Sequence, residues 1–175
     1  HALNSAGILT RQVECGEIVR PGLMLYGVSP IPALQNELRP ALAWKARVAM
    51  VREVAKGASI SYGRTFIAPK PMRVAVLALG YADGFPRQAS GNGAAVLLNG
   101  NDCPILGRVT MDQIVVDVSS SLEVRAGDAA TLIGKDSHSE ITATDLAARA
   151  GTIAWDVFTG IGQRVQRVHR SSAVS

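Results

Sequence analysis

Residues 43–54 read Ala-Trp-Lys-Ala-Arg-Val-Ala-Met-Val-Arg-Glu-Val. Within this stretch the apolar Ala46, Val48 and Met50 are interleaved with basic residues, beginning with Lys45. A period of two residues is the pattern of a β-strand that buries one face. We therefore expect a strand here, with the core of the protein on one side of it.

Further strand candidates follow, separated by short turn sequences rich in Gly, Asn and Asp. Such turns reverse the chain within a few residues and join neighbouring strands in antiparallel order. The spacing predicts a mainly β fold, an antiparallel barrel or sandwich. The candidates are residues 73–79, 94–98, 104–106, 113–118, 129–133 and 164–170.

A helix interrupts these strands. Thr142 or Thr144 is suited to cap its start, the run Leu-Ala-Ala-Arg-Ala at 146–150 forms its body, and Gly151 is suited to end it. A second helical turn is expected at 154–158.

Residues 1–36 have a different pattern. Asn4 or Ser5 is expected to cap a helix that runs from residue 6 to about residue 13, and Gly16 is expected to end it.

The next segment, residues 18–27, predicts an apolar strand interrupted by a Pro-Gly pair. The Pro-rich residues 28–32 form a stiff connector. We place a domain boundary just after it, between residues 1–36 and residues 37–175.

Composition excludes several classes of protein. With 47% hydrophobic and 18% charged residues, the chain can bury a core. It contains no apolar run of the ~18 residues that a membrane span requires, and no secretory signal pattern is visible. Cys15 and Cys103 are expected to be reduced, and no Cys or His spacing suggests a metal site. The net charge of +4 comes from scattered basic residues, so no nucleic-acid partner is expected.

Five short motifs occur in one order along the chain. Each alone has an ordinary explanation, such as a helix cap, a strand bend, an edge tyrosine or a β-turn. They are His-Ala-Leu-Asn-Ser-Ala at 1–6, Arg-Pro-Gly-Leu-Met-Leu-Tyr-Gly at 20–27, Ser-Tyr-Gly-Arg-Thr-Phe at 61–66, Gly-Tyr-Ala-Asp-Gly at 80–84 and Gly-Arg-Val-Thr-Met-Asp-Gln at 107–113.

Taken together, the five motifs resemble the alanine racemases, fold-type III enzymes that depend on pyridoxal 5'-phosphate (PLP), and the resemblance covers nearly the whole chain. It implies that residues 1–36 are the end of a PLP-binding (β/α)₈ barrel and residues 37–175 the C-terminal β domain. The implied reaction interconverts L-alanine and D-alanine through a PLP aldimine, by two-base transfer of the α-proton. It would supply D-alanine for peptidoglycan in the bacterial cytoplasm.

The first two motifs imply the cofactor site. In this resemblance Asn4 and Ser5, with the backbone N–H groups of Gly22 and Leu23, lie around the PLP phosphate. Arg20 faces the ring nitrogen, where most PLP enzymes place a carboxylate; because a guanidinium keeps its protons, the nitrogen stays unprotonated. The lysine that carries the cofactor in this family matches none of the lysines here. The chain alone is therefore expected to be inactive.

Trp155 departs from the family pattern. The commonest pattern has a tyrosine there that donates a hydrogen bond to the PLP phosphate. An indole N–H can also donate to a phosphate oxygen, but its bulk would narrow the pocket. A sister racemase that acts on serine or on a broader set of amino acids therefore stays open.

The remaining motifs imply the chemistry. Racemisation needs a proton-transferring group on each face of the substrate. Tyr62 matches the family's tyrosine base, which acts on the L-isomer from the partner subunit, so a homodimer with shared sites is implied. The implied substrate-binding residues are Tyr81, Arg87, Arg108, Met111 and Asp112.

A rival from another class is a β-barrel module without enzymatic activity that binds RNA. It would need a contiguous basic face and exposed aromatic residues for base stacking. Only 5% of the residues are aromatic, which disfavours this alternative.

Overall fold

The structure is a computed structural model that describes residues 3–11, 14, 16 and 18–169. Its strands are β1 (Trp44–Val54), β2 (Ser59–Ile60), β3 (Phe66–Ile67), β4 (Met72–Leu77), β5 (Ala95–Leu98), β6 (Asn101–Pro104), β7 (Ile114–Asp117), β8 (Ala129–Asp136) and β9 (Ser139–Ile141). Its helices are α1 (Ser5–Thr10), α2 (Ala143–Ala150) and α3 (Ala154–Gly160), with 3₁₀ turns at Leu23–Tyr26, Pro32–Glu37, Tyr62–Arg64, Tyr81–Asp83 and Arg87–Ala89.

Strand β1 holds the main sheet together because it pairs antiparallel with both β4 and β8. The strand order is β6-β5-β8-β1-β4-β7, with β9 attached to β8, while β2 and β3 form a separate hairpin. The two ends of this path approach each other at an isolated bridge between Ile105 and Val116. The predicted mainly β, antiparallel fold is confirmed.

The alternation that predicts β1 holds as far as Val48 and then shifts. Ala46 and Val48 are buried, whereas Met50 is exposed, because the pairing with β4 changes register between Val48 and Met50. One extra residue in a strand moves the side chains that follow it to the opposite face. The interpretation of Met50 as part of the apolar face is therefore wrong.

Strand β6 starts earlier than the candidate at 104–106. Asn99 and Gly100 both have positive φ, 53° and 79°, and this pair forms a two-residue turn that lets Leu98 pair directly with Asn101. The strand candidate at 104–106 therefore begins too late, at the last residue of β6.

Two further differences concern the last third of the chain. Strand β9 was missed, and residues 164–169 form no strand, with residue 170 outside the described part. The Arg167 guanidinium instead donates hydrogen bonds to the carbonyls of Ile161, Gly162 and Val165, which closes a local turn.

The predicted helices of this region are confirmed. Thr142 rather than Thr144 caps α2: its hydroxyl accepts the N–H of Asp145, and the Asp145 carboxylate accepts the N–H of Thr142. Gly151 ends α2 in the left-handed conformation, with φ 67°. Helix α3 covers the turn expected at 154–158.

Helix α1 is shorter than predicted. Asn4 caps it, since its side-chain oxygen accepts the N–H of Gly7 at 3.0 Å. It ends at Thr10 because Arg11 is extended, so the predicted extension to residue 13 is wrong; residues 12 and 13 lie outside the described part.

Residues 18–27 do not form the predicted strand. Within them only Arg20 takes part in a β-bridge, and Leu23–Tyr26 is a 3₁₀ turn. Pro21 has no N–H to donate to a neighbouring strand. Gly22 leaves the extended region with φ −124° and ψ −92°.

Cys103 is a free cysteine that lies buried in the core. Desolvation raises the pKa of its thiol to about 11, so the thiol stays protonated at neutral pH. Cys15 lies outside the described residues. Within the described part, no helix is long and apolar enough to cross a membrane, and no group of three or more His, Cys, Asp or Glu side chains could hold a metal ion.

The loop at residues 80–84 connects the core to the surface. Phe85, which follows it, is buried and lies with its ring centroid 6.0 Å from that of Trp44 on β1. Gly84 has φ 103°, and a Cβ at this position would overlap the carbonyl oxygen of Gly160.

We expect Gly84→Ala to destabilise the protein by about 2–5 kcal/mol, since positive φ and overpacking both oppose the new methyl group. The matched control is Gly91→Ala: Gly91 also has positive φ, but its Cβ would meet nothing within 4 Å. Its expected cost is about 1–2 kcal/mol, from backbone conformation alone. Urea unfolding of both variants measures the difference, and equal costs would contradict the close packing at Gly84.

Candidate functional site

Tyr62 lies on the 3₁₀ turn that joins β2 to β3, and its side chain is 73% exposed. The Arg108 guanidinium packs beside this turn, 3.4 Å from the position of a Cβ on Gly63. The Arg108 side chain therefore lies next to the turn that carries the tyrosine.

Tyr81 lies on the 80–84 loop, which is fixed to the residues around Met111 by backbone hydrogen bonds. The N–H of Tyr81 donates to the carbonyl of Thr110, and that of Ala82 donates to the carbonyl of Met111, both at 3.0 Å. A Cβ at Gly80 would overlap both carbonyl oxygens, so the contact requires glycine there.

Arg164 joins the same two segments through their carboxylates. Its Nε lies 3.2 Å from Oδ1 of Asp83, and its Nη2 lies 2.7 Å from Oδ1 of Asp112. The other oxygen of Asp83 accepts the N–H of Gly80 at 2.9 Å. The hydrogen bond to Asp112, reinforced by the charge of Asp83, raises the pKa of Arg164 above its ordinary value.

These segments enclose a groove of about 550 Å³, which we call the tyrosine groove. All six residues that the sequence analysis assigned to the base and the substrate line it. They are Tyr62, Tyr81, Arg87, Arg108, Met111 and Asp112, and the groove is completed by Val109, Thr110 and Gln113.

The tyrosine groove is cationic. Arg87 and Arg108 contribute two positive charges, while the one carboxylate in its lining, Asp112, is bound to Arg164. Such a surface favours a small carboxylate.

Arg164 was not predicted as a site residue, and Asp83 was predicted only as a member of the 80–84 motif, which resembles the substrate-entry segment of the family. The spacing of Gly80 and Asp83 carries a local signal, because an Asp three residues after a turn start accepts its N–H. Nothing near Arg164 in the sequence predicts its two partners, since both are remote along the chain.

A second group of residues lies in the first 25 positions. We call Asn4, Ser5, Arg20, Gly22 and Leu23 the N-terminal set.

Ser5 is the centre of the N-terminal set. It is only 6% exposed, and its Oγ accepts the N–H groups of Gly22 and Met24, at 3.0 and 3.4 Å. Because the oxygen accepts both of these bonds, the hydroxyl hydrogen is still available for donation. None of the described residues accepts it. Leu23 begins a 3₁₀ turn, so its N–H has no acceptor within that turn.

The rest of the set is arranged around Ser5. A parallel bridge joins Asn4 to Arg20, and the side-chain oxygen of Asn4 is engaged as the cap of α1. A Cβ on Gly22 would meet only the Ser5 hydroxyl, at 4.0 Å, so the space above Gly22 is open. The Ser5 hydroxyl and the Leu23 N–H beside this open space form a donor set that fits an anionic phosphate.

Trp155 lies near the start of α3 and is 44% exposed. Farther along α3, the ring of Phe158 stacks on Tyr26 with centroids 5.0 Å apart, and the end of the helix meets Gly84. Helix α3 therefore links the 3₁₀ turn that begins at Leu23 to the 80–84 loop. Among the described residues, none of the N-terminal set lines the tyrosine groove.

Residues 41–169 match the family model described as "Alanine racemase, C-terminal domain". The chain belongs to the alanine racemase family. The resemblance of the five motifs to alanine racemases is thereby confirmed.

Individual relatives agree with this assignment. The chain is 44% identical to the alanine racemase of Halothermothrix orenii over 98% of this chain and 45% of that protein. Its fold matches the crystal structure of the Streptomyces lavendulae alanine racemase with a TM-score of 0.88, at 42% identity over 97% of this chain and 45% of that one.

A third relative carries the cofactor. The Bartonella henselae alanine racemase, solved with covalently bound pyridoxal phosphate, matches with a TM-score of 0.74 and 32% identity, over 86% of this chain and 41% of that one. The chain spans about 45% of the length of the curated relatives that it matches.

We expect Arg164→Gln to loosen the contact between the 80–84 loop and Met111, because the guanidinium holds a carboxylate of each segment. Amide exchange at Tyr81 and Ala82 should accelerate about two- to five-fold, as suits an exposed ion pair. The control is Arg52→Gln, at an exposed position of β1, which should leave this exchange unchanged. Hydrogen exchange read by NMR checks both, and equal rates in the two variants would contradict the role of Arg164.

Proposed function

We propose that this chain provides the tyrosine base and the substrate groove of a PLP-dependent alanine racemase, which interconverts L-alanine and D-alanine. The observation that carries the proposal is that one groove collects Tyr62, Tyr81, Met111 and two arginines in a chain of the alanine racemase family. Family membership also weighs against the RNA-binding module.

Tyr62 acts as the base for the L-isomer. Its phenol is exposed at the rim of the groove and can accept or donate a proton. Racemisation needs a second group on the opposite face of the substrate. That group is the cofactor-bearing lysine of the family, and we propose that no lysine of this chain serves as it.

Arg87 and Arg108 attract the substrate carboxylate into the groove, and Met111 binds it. The carbonyl of Met111 accepts the N–H of Ala82, whereas no described residue accepts the N–H of Met111. This N–H is therefore available to a carboxylate oxygen, and the 80–84 loop holds its position. Tyr81 flanks the substrate, and Asp112 is oriented by Arg164.

The N-terminal set holds the cofactor. Ser5 donates its hydroxyl and Leu23 offers its backbone N–H to the PLP phosphate, with Asn4 at the adjacent helix start. The N–H of Gly22 donates to Ser5, and Gly22 leaves open the space that the phosphate occupies. Arg20 faces the ring nitrogen. When bound, PLP withdraws electrons from the α-carbon of the amino acid and makes its proton removable.

Trp155 supports a second candidate within the same reaction class. Because its large, half-exposed side chain lies on the helix that packs against Tyr26, at the end of the 3₁₀ turn that begins at Leu23, it can narrow the substrate pocket. A racemase that prefers serine or a broader range of amino acids is the alternative.

The active unit is a homodimer. The N-terminal set contributes no described residue to the tyrosine groove of the same chain, so the groove of one subunit completes the cofactor site of its partner. We propose that the enzyme works in the bacterial cytoplasm and supplies D-alanine for peptidoglycan.

In the product of the complete reading frame, we expect conversion of L-alanine to D-alanine with PLP present. Tyr62→Phe should lower turnover by about 10²–10⁴-fold, the usual contribution of an acid–base group. In D₂O this variant should still exchange the α-proton of D-alanine, through the other base, but not that of L-alanine. Proton NMR combined with chiral chromatography measures both.

Tyr26→Phe is the matched control, because it keeps the ring stacked on Phe158 and lies outside the tyrosine groove. It should retain turnover. Full activity in Tyr62→Phe, or no racemase activity in the complete protein on alanine or serine, would contradict the proposal.

The lysine assignment has its own test on the 175-residue chain. All four lysines, Lys45, Lys56, Lys70 and Lys135, are exposed and none belongs to the N-terminal set. We expect borohydride treatment with PLP to leave no lysine stoichiometrically labelled by a pyridoxyl group in peptide mass mapping. Stoichiometric labelling of one lysine would show that the chain carries its own attachment site.

A further inference from the structure

The position of the Tyr62 side chain is set by its backbone rather than by packing. The side chain is 73% exposed, so few neighbours within the chain restrict it, and the main chain fixes the direction of the Cα–Cβ bond from which the ring extends. The groups that fix the backbone of this turn therefore decide where the phenol lies.

That backbone is strained. Ser61, directly before the tyrosine, has φ 64° and ψ −175°, a combination that is almost restricted to glycine. Gly63 and Arg64 on the other side also have positive φ, 73° and 50°. A serine keeps such a conformation only where its surroundings impose it.

One hydrogen bond imposes it on Ser61. The Ser61 hydroxyl donates to the carbonyl of Arg108 at 2.6 Å. Gly107 permits this approach, because a Cβ there would lie 2.6 Å from the carbonyl oxygen of Ile60 and 3.0 Å from Cβ of Ser61.

The same segment also supports the far side of the turn. The Arg108 guanidinium lies beside Gly63, which follows the tyrosine. Arg108 thus holds the turn before Tyr62 through its carbonyl, flanks it after Tyr62 through its side chain, and lines the tyrosine groove.

We propose that Ser61 is a positioning residue, whose hydrogen bond to the Arg108 carbonyl holds the strained turn that directs Tyr62 into the groove. The inference rests on the proposed function, since it assigns Ser61 to the proton transfer that Tyr62 performs. Ser61 itself touches no reacting atom.

The experiment uses Ser61→Ala and Ser61→Gly in the product of the complete reading frame. Alanine keeps the strain and loses the hydroxyl, whereas glycine loses the hydroxyl and adopts this conformation freely. Both should lower turnover about ten-fold, with little change in KM, because a small misplacement of a reacting group is costly. Thermal unfolding should show glycine to be the more stable of the two variants.

The readout that separates positioning from general damage is exchange in D₂O. With Tyr62 misplaced, the other base still removes the α-proton of D-alanine, but delivery of a proton to the α-carbon from the tyrosine face is slow. The measured quantity is the ratio of deuterium incorporation into D-alanine to conversion of D-alanine into L-alanine. This ratio should be about ten-fold higher than in the unmodified enzyme. L-alanine should show no such increase.

Two controls complete the design. Ser139→Ala removes a comparable bond, from a serine hydroxyl to the Gly100 carbonyl at 2.7 Å, outside the tyrosine groove, and should leave the exchange ratio unchanged. Adding Ser61→Ala to Tyr62→Phe should cause no further loss, because the group that Ser61 positions is already gone.

An unchanged exchange ratio in Ser61→Ala and Ser61→Gly, or activity that simply follows stability, would overturn the role of Ser61. Failure of the proposed function gives a different result: Tyr62→Phe itself would then show no isomer-specific exchange. If Tyr62→Phe behaves as expected and the Ser61 variants do not, only the inference about Ser61 is lost.

Discussion

The loop at residues 80–84 is in backbone contact with two other segments at once, and the architecture of the candidate site depends on this contact. Gly80 lies against the carbonyls of Thr110 and Met111, and Gly84 against that of Gly160, with no space for a side chain at either glycine. Because Phe85 follows directly into the core beside Trp44, the central strand, the groove and helix α3 are held by one short loop.

Backbone contacts of this kind suit a site whose polar side chains must stay free for a ligand. The loop is fixed by main-chain hydrogen bonds and by the Arg164 ion pairs at its outer side. The side chains of Tyr81 and Arg87 are therefore not needed to hold the groove together. These contacts require glycine at positions 80 and 84. The turn before Tyr62 requires a backbone conformation that serine rarely adopts, at Ser61.

The two halves of the proposed site are built differently. The tyrosine groove is formed by loops of the β domain, whereas the N-terminal set surrounds one buried serine hydroxyl and the first residues of short helical turns. Helix α3 connects them, with Phe158 on Tyr26 at one side and Gly160 on Gly84 at its end. This connection explains how two groups of residues that share no described member can keep a constant relation within one chain.

The sequence by itself determined the β class, the strand β1, the body and stop of α2, and the motifs that identify the family, because each follows from residues a few positions apart. It misplaced β6, predicted a strand at 18–27 and assigned Met50 to the buried face. Only the tertiary structure decided the β-bulge, the assembly of the groove, the ion pairs of Arg164 and the strain at Ser61. The physical reason is separation along the chain: the Ser61 hydroxyl finds its acceptor 47 residues away, and Arg164 and Asp112 are 52 residues apart, so no local pattern specifies either contact.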